Sequence, residues 1–465
     1  MSMKKGDILQ NIVVEELVAE GKSLSRIDQM VLFTSFTAPG DVIKAQITLK
    51  KKNFAEGKLI EVEQPSPYRV NPECKYFTLC GGCKWQHVEY PTQLHYKQKQ
   101  VIDSLERIGK ISLPPIQPIL GSKNIYYYRN KLDFTFSNKR WLYAHELGDE
   151  SVDINGLGFH LPGRFDKVID VDHCHLQGGP SNEIRNWVRS YALEHQLDFY
   201  DVRYHEGLLR NLIIRTTSTG EVMTIFQFQH KSDQMMALLE NFKQRFPTTT
   251  SIIYFINNKK NETFHDLTPH VFHGLPYITE EMEGLKFRIG PKSFYQTNSE
   301  QAYLLYTQTR KLAGLTGNEV VYDLYTGTGT IANFVAKDAK LVIGIEYVEA
   351  AIEDAKINSE INNISNTTFY AGDMKDILVP SFMEHHPKPD VIITDPPRAG
   401  MHEDVVNMLL RIGAQKIVYV SCNVATQARD LQLLDSMYQV TTVQPVDMFP
   451  QTAHVENIVL LEKRN

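Results

Sequence analysis

Cysteine is scarce. Five in 465 residues, an odd number, are too few for a disulfide scaffold in a chain this long. No apolar run approaches the roughly 18 residues of a membrane span. The start, MSMKKGDILQ, carries lysines with no apolar stretch behind them, which excludes a secretory signal. A reducing cytoplasm fits, with no membrane partner, no disulfide-linked partner and a monomeric chain. Charge of one sign is not in excess either. The 49 Lys+Arg and 55 Asp+Glu leave a net −6, which excludes a protein that is basic throughout. Internal repeats and low-complexity tracts are missing. What remains is the composition of a soluble globular protein, 42% hydrophobic and 22% charged; at about 150 residues per domain, the length implies roughly three domains. Charge is uneven along the chain. Residues 66–140 hold 12 Lys/Arg against 5 Asp/Glu, a local +7 that leaves −13 elsewhere. A basic segment in an acidic chain predicts one face that meets a polyanion.

Residues 1–65 alternate in the β manner through DILQNIVVEEL, QMVLFTSF, DVIKAQITLK and AEGKLIEVE, with turn signals at Glu20-Gly21-Lys22 and Ala38-Pro39-Gly40. Four or five short strands in that length predict a small closed barrel. Gln64-Pro65-Ser66-Pro67 reads as a linker. Residues 66–292 form a mixed α+β stretch: a helical run from Gln93 to Ile108, then β-like runs LDFTFS, LGFHL, NLIIRTT, VMTIFQF and SIIYFI. From residue 293 to 465 fully apolar runs (VVYDLY, LVIGIE, VIITD, KIVYVS) alternate with helical stretches. That pattern predicts a parallel sheet covered on both faces, a Rossmann-like α/β domain.

In that last domain, VVYDLY runs into Thr326-Gly327-Thr328-Gly329-Thr330 and a helix. Glycines at such a turn let the backbone approach a ligand. Glu346 ends the next strand, 19 residues after Gly327, where a carboxylate meets ribose hydroxyls in Rossmann-like folds. Asp373 follows a third strand and Asp395 a fourth, in Thr-Asp-Pro-Pro-Arg-Ala-Gly. Together these are the layout of an S-adenosylmethionine methyltransferase. Cys422 ends the strand KIVYVSCN, and Glu456 begins the last apolar strand. A lone free cysteine is more often core than nucleophile; the flanking Ser421 and Asn423 favour a solvent-facing strand end. Cys74-x5-Cys80-x2-Cys83, with Cys174 about 90 residues on, supplies four soft thiolates. Spacing leaves zinc and an iron–sulfur cluster both open. Tyr76, Phe77, Trp85, Tyr126, Tyr127 and Tyr128 crowd this basic region, as base-stacking platforms or as core.

Asp-Pro-Pro-Arg-Ala-Gly, Ser-Cys-Asn and His-Val-Glu-Asn together resemble the RNA uracil-C5 methyltransferases, the RumA/TrmA family. Tyr128-Arg-Asn-Lys131, Gly158-Phe-His, Leu209-Arg-Asn-Leu-Ile-Ile-Arg215 and Ser293-Phe-Tyr-Gln-Thr-Asn298 also fit its blocks, so the resemblance covers most of the chain. It implies methylation of uridine C5 in RNA. Cys422 would be the nucleophile on C6, Glu456 the general base, and Asp395 would position the uracil and the cofactor. Gln296, Tyr325, Glu346 and Asp373 match cofactor contacts. Thr330 departs from the family, which often has Asn there. The RumA-like branch further implies a TRAM domain, an OB-like RNA-binding barrel, over residues 1–65. It also implies a 4Fe-4S cluster on Cys74, Cys80, Cys83 and Cys174. Ribosomal RNA of the 23S type is the expected target. A transfer-RNA enzyme and a non-catalytic RNA-binding iron–sulfur protein are the alternatives. An adenine-N6 methyltransferase is disfavoured, because Arg398 rather than an aromatic residue follows Asp-Pro-Pro.

Overall fold

The structure, a computed structural model, describes residues 3–464. Its first sheet has six strands: Ile8–Val13, Glu16–Leu17, Lys22–Ile27, Met30–Ser35, Val42–Lys50 and Phe54–Gln64. Ile8–Val13 pairs with Val42–Lys50 at one edge, and Glu16–Leu17 pairs with Lys22–Ile27 at the other. Only Val14 and Glu15 separate these two strands, and their N–H groups donate to Asp41 O and Leu24 O, each at 2.9 Å. One bent stretch of chain therefore supplies both edges, and the sheet closes on itself, which leaves little unpaired edge. Alternation along Val42–Lys50 turns Ile43, Ala45 and Ile47 inward onto Ile12, Leu32 and Ala55. The sequence reading has one strand where the chain bends at Val14, and none over Lys22–Ile27. The reason lies in KSLSRI: two of its buried positions are Ser23 and Ser25, and the Ser23 hydroxyl donates to Thr37 O at 2.7 Å. A polar inward face hides the alternation.

The central sheet has seven strands in the order His270–Gly274, Ser251–Ile256, Val222–Phe228, Leu209–Thr216, Lys131–Ser137, Gly156–Leu161, Arg164–Asp170. Helices Ser181–Glu194 and Asp233–Arg245 pack Ile184, Val188, Leu238 and Phe242 against Phe134, Leu212 and Phe226. Ile213, Ile225, Ile253 and Phe255 instead join the apolar core of the C-terminal sheet. Central and C-terminal regions thus share a core. The helix Tyr90–Ser104 begins three residues before the expected start, with Pro91 in its first turn, a position where the missing N–H costs nothing. Its Val101 packs with Ala428 and Leu431 of the helix Val424–Leu434.

The C-terminal sheet orders its strands Thr367–Ala371, Leu341–Glu346, Val320–Leu324, Val391–Thr394, Lys416–Ser421, Glu456–Lys463, Tyr438–Val446. The first five are parallel, and Glu456–Lys463 runs antiparallel to both neighbours. Four of the five parallel strands bury nearly every residue, as their unbroken apolar runs require. Among the described residues no helix is long and apolar enough to cross a membrane.

Candidate active site

In an open parallel sheet, ligands bind beyond the carboxyl ends of the strands, where the strand order reverses. Here the order reverses at Val320–Leu324. Tyr325, Glu346, Asp373, Asp395 and Cys422 lie at or just after the carboxyl ends of the five parallel strands. Glu456 opens the antiparallel strand, so its amino end reaches the same edge. Ser421 pairs with Asn457, and this register sets Cys422 beside Glu456.

The turn after Val320–Leu324 is left-handed at Tyr325 (φ 63), Gly327 (φ 56) and Gly329 (φ 72). A Cβ on Gly327 would meet nothing within 4 Å, so this turn faces open space. A Cβ on Gly329 would press on Ala355 Cβ at 2.8 Å, so this glycine serves the packing of the helix Glu349–Ile361. Gly327 N–H donates to Glu346 Oε2 at 3.2 Å and Val348 N–H to Oε1 at 3.0 Å. The carboxylate is thereby fixed at the mouth of the turn. Gly372 N–H donates to Glu346 O at 2.8 Å, which brings the Asp373 turn alongside; Asp373 accepts Lys375 N–H at 3.2 Å. Burial, with Asp373, Asp430 and Glu346 nearby, pushes the Tyr325 phenol up to about 12. An open backbone turn with a fixed carboxylate beside it fits the ribose-bearing cofactor expected there. Gln296 stands apart from this row, ahead of the helix Ser299–Ala313, where its carbonyl accepts Asn130 Nδ2 at 2.9 Å. Thr330 is buried, with its hydroxyl 3.3 Å from that of Thr328.

Cys422 is a free, half-buried thiol. Burial, with the Glu456 and Asp395 carboxyls, pushes it up to about 11, while Arg398 opposes. Glu456 is 4% exposed; burial and then Asp395 push it up to about 8, again with Arg398 opposing. Asp395 keeps a partly exposed surface, yet protein surrounds its carboxyl and pushes it up to about 7. A thiol and two carboxyls thus share a low-dielectric edge with one nearby cation. Carboxyls that titrate near neutrality can both give and take protons there.

Two neighbours of this constellation escape the sequence reading. Asp323 is wholly buried; its Oδ2 accepts the Thr326 hydroxyl, its Oδ1 has no partner, and burial pushes it up to about 7. An acid inside the apolar run VVYDLY was the available signal. Tyr306, on Ser299–Ala313, is raised far above a normal phenol by burial, with Asp395, Tyr295, Asp323 and Glu456 around it. It reads in sequence as one more apolar stripe position. Arg398 enters the sequence reading only as a residue that is not aromatic.

Cys74, Cys80, Cys83 and Cys174 come together elsewhere, around a cavity of about 610 Å³ also lined by Arg129, Lys131, His173 and His175. Thr297, next to Gln296, reaches its wall; Cys422, Glu456 and Asp395 do not. All four thiols are free, and burial pushes Cys80 and Cys83 up to about 12. Cys174 is held by its N–H donating to Asn182 Oδ1 at 2.8 Å, and nearby Asp172 accepts the Tyr76 hydroxyl at 2.8 Å. Among the described residues no group of three or more His, Cys, Asp or Glu is arranged to hold a metal ion. A tetrahedral zinc would need four sulfurs about 2.3 Å from one point, and the thiols do not converge so. The aromatic residues divide. Tyr76, Trp85 and Tyr128 are buried, whereas Tyr127 is exposed, its hydroxyl 3.1 Å from His173 Nε2.

Residues 213–464 match the family model described as tRNA (uracil-5-)-methyltransferase. An uncharacterized RNA methyltransferase of Bacteroides thetaiotaomicron is 58% identical over 454 residues, covering 96% of this chain and all of its own. Another from Chlorobaculum tepidum is 40% identical over 471 residues, covering 99% and 97%. The crystal structure of Pyrococcus abyssi tRNA (uracil-54, C5)-methyltransferase in complex with S-adenosyl-L-homocysteine superposes with a TM-score of 0.75 at 28% identity, over 97% of this chain and 100% of that one. The strand-end carboxylates and the open glycine turn are therefore those of a methyltransferase fold, and the chain belongs to the tRNA (uracil-5-)-methyltransferase family, as an S-adenosylmethionine-dependent RNA methyltransferase of the uracil-5 type.

Proposed function

We propose that this enzyme methylates C5 of a uridine in RNA through a covalent bond between Cys422 Sγ and C6 of the base. The observation that carries this reading is the register that sets a free thiol, Cys422, beside a buried carboxyl, Glu456, on adjacent antiparallel strands. Uracil C5 is a poor nucleophile until a thiolate adds to C6. The new C6–S bond moves the ring electrons onto the C5 side as an enolate. Bound S-adenosylmethionine supplies an electrophilic methyl group to that carbon; Tyr325, Gly327, Gly329, Glu346, Asp373 and Gln296 would hold it. Arg398 is the nearby cation that favours the Cys422 thiolate, and Asp395 holds the uracil. Glu456 then takes the C5 proton. The C–H electrons form the C5–C6 double bond, the C6–S bond breaks, and Cys422 leaves as thiolate. The target base must leave its stack to reach this edge.

Cys74, Cys80, Cys83 and Cys174 are proposed to hold a 4Fe-4S cluster, as in the RumA-like branch. In support, four half-buried free thiols line one cavity. Methyl transfer moves no unpaired electron, so the cluster serves structure or RNA contact. The closed N-terminal sheet would be a TRAM-like RNA-binding barrel, with Lys51, Lys52 and Lys58 exposed on it. The proposed target is ribosomal RNA of the 23S type. A second reading, transfer RNA, is favoured by the Pyrococcus abyssi enzyme, whose name states uracil-54 of tRNA and whose chain has the same extent. Mapping 5-methyluridine in ribosomal and transfer RNA from a deletion strain tests both. Loss from 23S RNA, restored by the wild-type gene but not by Cys422→Ser, is expected. Loss from transfer RNA alone selects the second reading, and no loss in either overturns both.

A further inference from the structure

Glu456 arrives at the edge by an unusual route. Val446 pairs with Glu456, so the nine residues 447–455 leave the sheet and return. A connection of that length ordinarily runs exposed over the surface. Here every residue except Phe449 and His454 is buried. Its polar atoms find partners far away in the chain. Lys97 Nζ lies 2.5 Å from Asp447 Oδ1 and donates to Phe449 O at 3.0 Å. The Tyr90 hydroxyl donates to Asp447 Oδ2 at 2.8 Å. Gln93 and Gln451 exchange two hydrogen bonds, Gln93 Nε2 to Gln451 Oε1 and Gln451 N–H to Gln93 Oε1, each 3.0 Å. Gln451 O accepts the N–H groups of Lys84 and Trp85 at 2.8 and 3.0 Å, directly after Cys83.

Gln93 and Lys97 are four residues apart on Tyr90–Ser104, hence on one helix face. That helix is a rigid bar laid along the loop. Gln451 has φ 68, a left-handed conformation that a residue with a Cβ keeps only when its surroundings impose it. Lys97 and Asp447 have no exposed side-chain surface. A buried ion pair is weak as a source of stability, since apolar residues of similar volume often do as well. It is strong as a geometric restraint, because either charge alone would be left unpaired.

We infer that Gln93 and Lys97 are positioning residues for Glu456, acting through the buried loop 447–455. The inference rests on Glu456 being the base that releases the methylated RNA. Cys422 follows the strand Lys416–Ser421 and does not depend on this loop. Loosening the loop therefore impairs proton removal and product release while leaving attack on C6 intact.

The test uses full-length enzyme carrying Gln93→Leu, which removes hydrogen bonds and no charge, and Lys97→Met. With 5-fluorouridine RNA, both variants should form the Cys422 adduct within a few-fold of the wild-type rate. With uridine RNA, turnover should fall about 10- to 10²-fold, the usual cost of displacing a reacting group by a fraction of an ångström to an ångström. A methylated RNA–protein adduct should then accumulate in mass spectra. Turnover at the wild-type rate, or adduct formation and turnover falling in parallel, overturns the inference. If Lys97→Met does not fold, Gln93→Leu decides alone. Rapid release of methylated RNA by Glu456→Gln would instead refute the base itself, so the two failures are distinguishable.

Discussion

The strand-end edge and the cysteine cavity are built on opposite logic. At the edge, regular strands deliver each group: Tyr325, Glu346, Asp395, Cys422 and Glu456 lie at or just beyond strand ends, and sheet geometry does the aligning. Around the cavity, Cys74, Cys80 and Cys83 lie in irregular chain, and Cys174 comes from beyond the strand Arg164–Asp170. The electrostatics differ as well. The edge crowds carboxyls around a thiol, with Arg398 opposing. The cavity surrounds thiols with Arg129, Lys131, His173 and His175, and burial there pushes Cys80 and Cys83 up to about 12, which favours the neutral thiol. Topology suffices to build the first site; the second is assembled from irregular chain.

The sharpest way to break this contrast is at Cys422. Cys422→Ser should lose about 10⁴-fold or more in turnover, as removal of a nucleophile does in other covalent enzymes, and should form no adduct with 5-fluorouridine RNA. Methylation near the wild-type rate would end the covalent mechanism. Glu456→Gln comes next, with a loss of about 10²–10⁴ in turnover and RNA retained on Cys422 in mass spectra. On the cavity side, wild-type protein purified without oxygen should be brown, with iron matched by acid-labile sulfide. Cys174→Ala should lose that colour and melt earlier, because this ligand closes a loop of about 90 residues. Its methyl-transfer step in single turnover should change far less than in either edge variant. A colourless preparation with stoichiometric zinc would overturn the cluster and leave the edge untouched.

Two smaller effects concern protons. Glu456 must be ionised to accept the C5 proton, a step that follows methyl transfer, so kcat should rise with pH toward a midpoint of about 8. Arg398→Gln should move that midpoint upward, because Arg398 opposes the rise in both Glu456 and Cys422; a pH–rate profile reads this directly. Asp323, Asp395 and Glu456 hold their protons to about 7, 7 and 8 in the folded state, whereas unfolded carboxyls release theirs near 4. Between those limits the native chain binds more protons than the unfolded one, so this region loses stability as pH rises from about 4 to 8. Urea unfolding should therefore show Asp323→Asn gaining on wild type from pH 5 to pH 8.

The edge was legible because its signals are local. Apolar runs announce parallel strands, and polar or acidic residues after them stand out: Asp395 after VIIT, Cys422 after KIVYVS. Glu456 was legible through its resemblance to a family motif and through its place at the start of an apolar strand. The four cysteines were legible as a group by chemistry, though not the shape of their cavity. Lys97 and Asp447 were not. They lie 350 residues apart, each looks like an ordinary surface charge, and nothing local says that both are buried. Lys22–Ile27 was hidden for the converse reason, since Ser23 and Ser25 face inward where hydrophobic residues are expected. Tyr306 shows the same limit: an aromatic residue on a packed helix face carries no mark that its phenol lies among carboxyls.

The strand that carries Glu456 lies between two strands that precede it in sequence, Lys416–Ser421 and Tyr438–Val446, which pair with it and not with each other. Until residues 456–463 take their place between them, those two strands have unpaired inner edges. Until then the sheet cannot finish zipping, and long-range pairings of this kind are slow to form. Unpaired edges also invite pairing with other chains. The arriving strand has to enter in one register only, because a slip of one residue would turn Glu456 away from Cys422. Completion of the sheet interior and the arrival of Glu456 beside Cys422 are thus one and the same event.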